Sequence, residues 1–366
     1  MYDLLISGVC IVAWLFIVLP CGLYLITNAG WRERRQRIFT YFKPAALKRY
    51  FTLYFPSVDI TKDSNPTLIS RFEKHYGCYY GRRHYIAPFI LLSIISGLGL
   101  FVVSETLKNW YGDASNHFAV SPIVISSFLG AFTWVASDQI SRFQRRDCKS
   151  GDLYQGSFRF LIAVPFGYSL AAFANKDFGI AVGFLVGAFP TETLFKIGRR
   201  LAGQKLGIGE DNTPAASELE LLQNIGKTNA ERFYDEGVTT IAELAWTDPV
   251  DLSVRTNFDF NYVIDCMGQA LLAVYVGADI KKLGPFSLRA AQDAASIVND
   301  IGQDIESANP TPKQKYARQA LTQAAGALNL DPKTFYYTLY AVAWDPYTRF
   351  LWSIWPQYWK DDKPTW

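Results

Sequence analysis

The sequence predicts an all-α protein: a polytopic membrane helix bundle of about five spans, followed by a cytoplasmic all-helical domain. Three observations predict it. Apolar runs near the ~20 residues needed to cross a bilayer recur through the first two hundred positions of the 366-residue chain. Charge divides the chain: residues 1–200 hold 22 Lys+Arg against 12 Asp+Glu, a net of +10, and residues 201–366 hold 14 against 21, a net of −7, which together give +3. The basic residues gather in alternate loops, the asymmetry that orients membrane helices. The boundaries that follow are 1–30 for a first span, 31–84 for a basic cytoplasmic or interfacial segment, 85–200 for four further spans, 201–216 for a linker, and 217–366 for the helical domain with its aromatic-rich tail.

The first span is Leu4 to Ile26. Met1-Tyr2-Asp3 carries no positive charge and no small-residue cleavage site follows, so the run reads as a span rather than a cleaved signal peptide. Trp31-Arg32-Glu33-Arg34-Arg35-Gln36-Arg37 comes next and places the N-terminus outside the inner (plasma) membrane. Residues 31–84 hold twelve Lys+Arg and four Asp+Glu, interleaved with aromatics at Tyr41-Phe42-Lys43, Lys48-Arg49-Tyr50-Phe51 and Tyr54-Phe55. Such a pattern suits an amphipathic helix at the lipid headgroups, the commoner case. It also suits a groove in which aromatics and cations meet a single-stranded nucleic acid.

The second span is Tyr85 to Val103, with a small-residue face at Ser93, Ser96, Gly97 and Gly99. The third is Ala119 to Ser137, ended by Asp138. The loop after it carries Arg142, Arg145, Arg146 and Lys149 and is therefore cytoplasmic. The fourth is Phe158 to Ala174, with Pro165 and Gly167 inside it, and Asn175-Lys176-Asp177 turns the chain into the fifth. Gly130-Ala131-Phe132 in span three is echoed by Gly187-Ala188-Phe189 in span five, each followed by an acid, Asp138 or Glu192. An acid near a membrane boundary is a candidate for an ion-selecting ring, or else a residue that simply faces water.

The fifth span, Phe178 to Arg200, organises the rest. Gly179, Gly183 and Gly187 fall every fourth residue, so they stack on one helix face. That face admits close helix approach. Pro190 breaks the helix, Glu192 follows, and Lys196, Arg199 and Arg200 close the run. The face fits ordinary packing within one bundle, the commoner use. It also fits a pore-lining helix of a homo-oligomer, with Gly179, Gly183, Gly187, Pro190, Glu192 and Asp138 as the pore and gating set.

In the second half, Ser217 with Glu220 forms a capping box. Residues Leu219 to Asp248, LELLQNIGKTNAERFYDEGVTTIAELAWTD, fit short helices around the turns at Asn224-Ile225-Gly226-Lys227 and Asp235-Glu236-Gly237. Ile225, Gly226 and Ala230 match the hairpin pattern of the helix-hairpin-helix family, which this stretch resembles. Asn224 stands where the family carries its first hairpin glycine, and asparagine tolerates left-handed geometry. The resemblance implies that Gly226, Lys227 and Thr228 meet a nucleic-acid phosphate. Glu218, Glu220, Glu231, Asp235, Glu236 and Glu243 surround them, whereas duplex binding draws on a basic face.

Further helices are expected at Asp259–Gly277, as a buried helix or oligomer seam, and at 287–308 and 312–328. The tail aromatics from Phe335 to Trp366 are expected to dock onto the protein core, the alternatives being the membrane interface and stacked bases.

Catalytic and metal motifs are missing from the sequence. The three histidines have no ligand spacing, and there is no HExxH, P-loop, GxSxG or GxGxxG. The five cysteines are scattered without a CxxC. No cofactor is expected.

Two function classes remain: an oligomeric ligand-gated channel or membrane-permeabilising effector, and a membrane-anchored scaffold without a pore. The plan of spans followed by a helix-hairpin-helix-like domain is similar to that of bacterial anti-phage membrane effectors. Among these is the DNA-gated channel of the Hailong system, whose partner nucleotidyltransferase makes oligonucleotides that hold the channel shut. The resemblance implies a short single-stranded DNA ligand whose phosphates meet Lys43, Lys48, Arg49, Lys227, Lys281 or Lys282, and membrane lipid as the standing partner.

Overall fold

A computed structural model describes residues 2–27, 29–111, 120–145, 148–171, 178–189, 218–302, 305 and 309–355, and among them every regular element is helical. Pro190, Glu192, Lys196, Arg199, Arg200 and Ser217 lie outside the described residues. The chain forms two compact units, Met1–Glu33 with Tyr76–Asp211, and Arg34–His75 with Asn212–Trp366.

The first unit holds α1 (Tyr2–Thr27), α5 (Arg83–Tyr111), α6 (Pro122–Gln144), α7 (Ser150–Ala171) and α8 (Gly179–Ala188). Three stretches, Tyr2–Thr27, Asn65–Trp110 and Pro122–Gln144, are long and apolar enough to cross a membrane. Large apolar side chains face outward, including Leu4 (82% exposed), Phe101 (62%) and Leu161 (60%). In water such a surface would be costly; among lipid tails it is ordinary. Inside lie Ile17, Cys21, Leu92, Leu100, Phe128, Val135, Phe160 and Ala163.

Consecutive helices of this unit alternate in direction. Gly22 on α1 lies beside Phe89 while Gly97 meets Trp14, so α1 and α5 are antiparallel. Gly156 on α7 lies beside Val135, and Gly167 beside Ser127, so α7 runs against α6. Helix α8 then runs parallel to α6. The alternation follows the expected hairpin order. Five spans as such do not follow, since α7 carries Asp152 and Arg159 and only ten residues of α8 are described.

Helix α6 continues past the expected end at Ser137. Asp138, expected to end the span, sits within the helix and pairs with Arg142, one turn on, at 2.7 Å.

The second unit differs most from expectation. Sequence pattern set 31–84 apart as a segment of its own, whereas Arg34–His75 clusters with the C-terminal helices. The residues concerned are the later part of α2 (Ala29–Tyr41), α3 (Pro44–Tyr54) and the first part of α4 (Asn65–Tyr80). The interleaved aromatics enter a protein core. Phe42, Tyr50, Phe51 and Phe72 are buried; Phe42 packs at 5.7 Å from Phe260 and Tyr50 at 6.0 Å from Phe350. Several polar groups bond across the same interface within the unit. Tyr50 Oη donates to Asp248 at 2.8 Å, Asn261 donates to Tyr41 Oη at 2.5 Å, and Arg34 bonds the Val254 carbonyl and the Asn257 side chain. Aromatics and cations at this spacing look alike in sequence whether the apolar face meets lipid, bases or protein. The partner, some two hundred residues or more away, decides.

The remaining helices are α9 (Lys227–Asp235), α10 (Ile241–Trp246), α11 (Pro249–Thr256), α12 (Phe260–Val276), α13 (Ala291–Ile301), α14 (Pro312–Ala327), α15 (Pro332–Trp344) and α16 (Pro346–Ile354). Their starts carry side-chain caps where the sequence offers them. Thr240 and Glu243 form a capping box on α10, and Asp248, Asp259, Thr311, Asp331 and Asp345 accept from first-turn amides. Helix α12, expected at 259–277, is buried along nearly its whole length, and Gly277 ends it at φ 80°. Helix α13 is shorter than the expected 287–308, because Ser287 adopts a left-handed φ of 57° and Gly302 one of 74°. The tail aromatics Phe335, Tyr336 and Phe350 dock into this core.

Candidate functional site

The strongest chemical anomaly is Arg159. It lies inside α7, in the stretch Phe158-Arg159-Phe160-Leu161-Ile162-Ala163-Val164, and is fully buried. Its Nη2 donates to the carbonyls of Val186 at 3.0 Å and Gly187 at 2.7 Å, the last turn of α8. Its guanidinium also lies 5.4 Å from the ring centre of Trp134 on α6. Each choice has a physical reason. The last carbonyls of a helix lack intrahelical donors and carry the negative end of its dipole. A planar guanidinium serves two of them at once and stacks on an indole.

Three helices are drawn tightly around that point. A Cβ placed on Gly187 would lie 2.7 Å from the Ala131 nitrogen, and one on Gly130 would lie 2.9 Å from the Ala188 nitrogen. One on Gly183 would meet Ser127 Oγ at 2.9 Å. The other end of α8 is tied by Ser126 Oγ, which donates to the Ile180 carbonyl at 2.6 Å. Gly179, Gly183 and Gly187 are all buried. Their face is used by α6 and α7 of the same chain, the in-bundle packing weighed from sequence.

Asp138 belongs to a charged cluster elsewhere on α6 and α7. Arg142 pairs with Asp138 and, at 2.9 Å, with Asp152, which also accepts from the Lys149 amide at 2.8 Å. Arg159 lies seven residues along from Asp152, roughly 10 Å at 1.5 Å per residue. Sequence reading named Asp138 and passed over Arg159, although a lone basic residue inside an apolar run was the visible signal.

In the second unit, the expected ligand residues divide. Gly226, Lys227 and Thr228 are exposed at the start of α9, with Gly226 as its N-cap. The first-turn amides there have no intrahelical acceptor. Asn224 has a φ of 65°, the left-handed geometry expected at that position. The element before the turn is one 3-10 turn, Glu218–Leu221, where a short helix was expected.

The turn itself is clamped from α12. Tyr262 Oη donates to the Asn224 carbonyl at 2.8 Å and accepts from Asn229 at 2.9 Å. Gln269 accepts from the Gln223 amide at 2.7 Å and donates to its carbonyl at 3.2 Å. Gln269 is in turn bonded to Asp265, which Arg289 pairs. These long-range partners have no sequence signature.

Lys281 and Lys282 are exposed on the 3-10 segment Gly277–Phe286, whose Gly284 lies against the Gln223 side chain, so this segment and the turn are neighbours. Lys282 pairs with Asp279 at 2.9 Å. Lys43 and Lys48 are exposed on or beside α3, while Arg49 donates to the Arg349 carbonyl at 2.6 Å and burial lowers its pKa. No group of three or more His, Cys, Asp or Glu side chains placed to hold a metal occurs among the described residues.

No protein-family model, curated protein or solved structure matches this chain.

Proposed function

We propose that the protein is an oligomeric membrane effector whose helical bundle passes ions under control of its second unit, with a short single-stranded oligonucleotide as the controlling ligand. The observation that carries this reading is Arg159. A buried guanidinium in an apolar bundle is costly and marks a functional element by default. Here it holds the last turn of α8, the final described helix of the first unit in sequence order. In this reading, ligand binding to the second unit opens the bundle by releasing these two bonds. In this reading five spans cross the inner membrane with the N-terminus outside. Residues 219–248 act as a helix-hairpin-helix unit, with Gly226, Lys227 and Thr228 on a phosphate and Lys281 and Lys282 beside them. A role in anti-phage defence, with a nucleotidyltransferase as ligand source, follows from the similarity of plan.

A second reading is favoured by a specific observation. The glycine face of α8 is filled by α6 and α7 of the same chain, as in a bundle that only anchors the second unit. One experiment separates the two. Full-length protein in liposomes is assayed for ion flux with and without a DNA oligonucleotide, and oligonucleotide binding is measured as a function of salt. Ligand-dependent flux supports the effector. Absence of flux in both conditions, with binding retained, supports the anchored scaffold. Binding unchanged in Lys227→Ala and Lys281→Ala removes those residues from the site.

A further inference from the structure

The first unit contains a groove of about 380 Å³ between α1 and α5. Ser7, Cys10, Ile11 and Trp14 line one side, at the i, i+3, i+4, i+7 spacing of a single helix face. Gly97, Leu100, Phe101, Ser104, Glu105 and Lys108 line the other. Facing small residues normally let two membrane helices close together. Here Trp14 seats its indole over Gly97. Its indole nitrogen donates to the Ser93 carbonyl at 3.0 Å and stands 3.2 Å from where a Gly97 Cβ would be. Beyond it the two helices stay packed, with Ser104 buried, and the partly exposed Ser7 and Cys10 leave a groove along their outer side.

The rim of this groove is charged in a particular way. Lys108 Nζ and Glu105 Oε1 pair at 2.6 Å, both partly exposed. An ammonium and a carboxylate side by side complement a headgroup that carries a phosphate and a primary ammonium. The groove is walled by side chains that otherwise face outward, Ile11 (58% exposed) and Phe101 (62%).

From the apolar length of the groove and its dipolar rim, we infer that this groove holds one phosphatidylethanolamine molecule. An acyl chain lies along α1 and α5 over the roughly 16 Å between Gly97 and Lys108. The phosphate faces Lys108 and the ethanolamine ammonium faces Glu105, which a choline group cannot replace because it has no N–H to donate. This inference rests on the bundle lying in a membrane and is independent of any ion flux.

The test uses full-length, delipidated protein in mild detergent, with phosphatidylethanolamine, phosphatidylcholine or phosphatidylglycerol added back. Native mass spectrometry and the thermal midpoint are the two readouts. The expected result is one retained phosphatidylethanolamine per chain and a larger rise in midpoint than either other lipid gives. Glu105→Gln with Lys108→Gln should abolish that preference while leaving the lipid-free midpoint near wild type. Ser7→Phe, at a partly exposed position of the lining, should fill the groove and remove the bound lipid. Equal effects of the three lipids, or lipid retained in Ser7→Phe, would overturn the assignment. So would a wild-type dimer that Ser7→Phe dissolves, since a second copy would then occupy the groove.

Discussion

Gly130 and Gly187 meet backbone to backbone: a Cβ on Gly187 would come within 2.9 Å of the Gly130 Cα. They are the corresponding glycines of the two Gly-Ala-Phe triplets in α6 and α8, and the two helices run parallel through this contact. The echo in the sequence is thus a contact in the fold, and it sets how deeply α8 can sit.

Substitution at either glycine should therefore be costly. The obstacle is backbone, which cannot rotate away as a side-chain tip can. Gly187→Ala should destabilise by at least the ~1–3 kcal/mol typical of overpacking, and Gly187→Leu should prevent folding. Gly226→Ala, with open space around its Cβ position, is the control and should be nearly neutral. Thermal unfolding in detergent checks all three.

Arg159 should tolerate no replacement that removes its two carbonyl bonds. Arg159→Gln should cost about 3–5 kcal/mol, the usual loss when a buried charged interaction is broken from one side. Arg159→Lys should recover only part of this, because an ammonium can still donate to both carbonyls but lacks the planar surface that stacks on the Trp134 indole. The unfolding midpoints of the two variants, compared with Trp134→Leu, separate the carbonyl bonds from the ring contact.

Asp248 gives the second unit a pH dependence of defined sign. Burial pushes its carboxyl up to about 6 from 3.8, against the opposing pull of the Tyr50 hydroxyl and the Val250 and Asp251 amides. Between those values the folded state binds the proton more tightly than the unfolded chain. The Asp248 contribution to stability is therefore full below about pH 4, falls as pH rises towards 6, and is lost above it, a change on the order of 3 kcal/mol. Asp248→Asn keeps an acceptor for the helix cap and should remove this slope. Denaturant unfolding from pH 4 to 8 reads both.

The clamp on the Asn224 turn predicts a local effect. Tyr262→Phe removes the hydroxyl that bonds the Asn224 carbonyl and Asn229, at a cost of roughly 1 kcal/mol. Amide exchange should quicken at 224–229 and stay unchanged in α14. Uniformly faster exchange would mean that Tyr262 supports the whole unit instead.

Legibility in the sequence followed the range of the interactions. Helix positions governed by local signals were readable: Asp259 and Gly277 bracket α12, Pro312 opens α14, and Asn224 takes its left-handed φ. Positions governed by distant partners were not. The aromatics of α3 needed Phe350 and Asp248 to show which way they face, and the hairpin turn needed Tyr262 and Gln269. Arg159 was legible as a lone charge in an apolar run. Its acceptors were hidden, because backbone carbonyls carry no mark in a sequence.

Planar-bilayer recording of the full chain tests the central claim most directly. The account predicts currents that depend on an added DNA oligonucleotide, with Arg159→Gln carrying current irrespective of the ligand because the end of α8 is no longer held. A silent bilayer for wild type and Arg159→Gln alike, with both proteins inserted and folded, would contradict it.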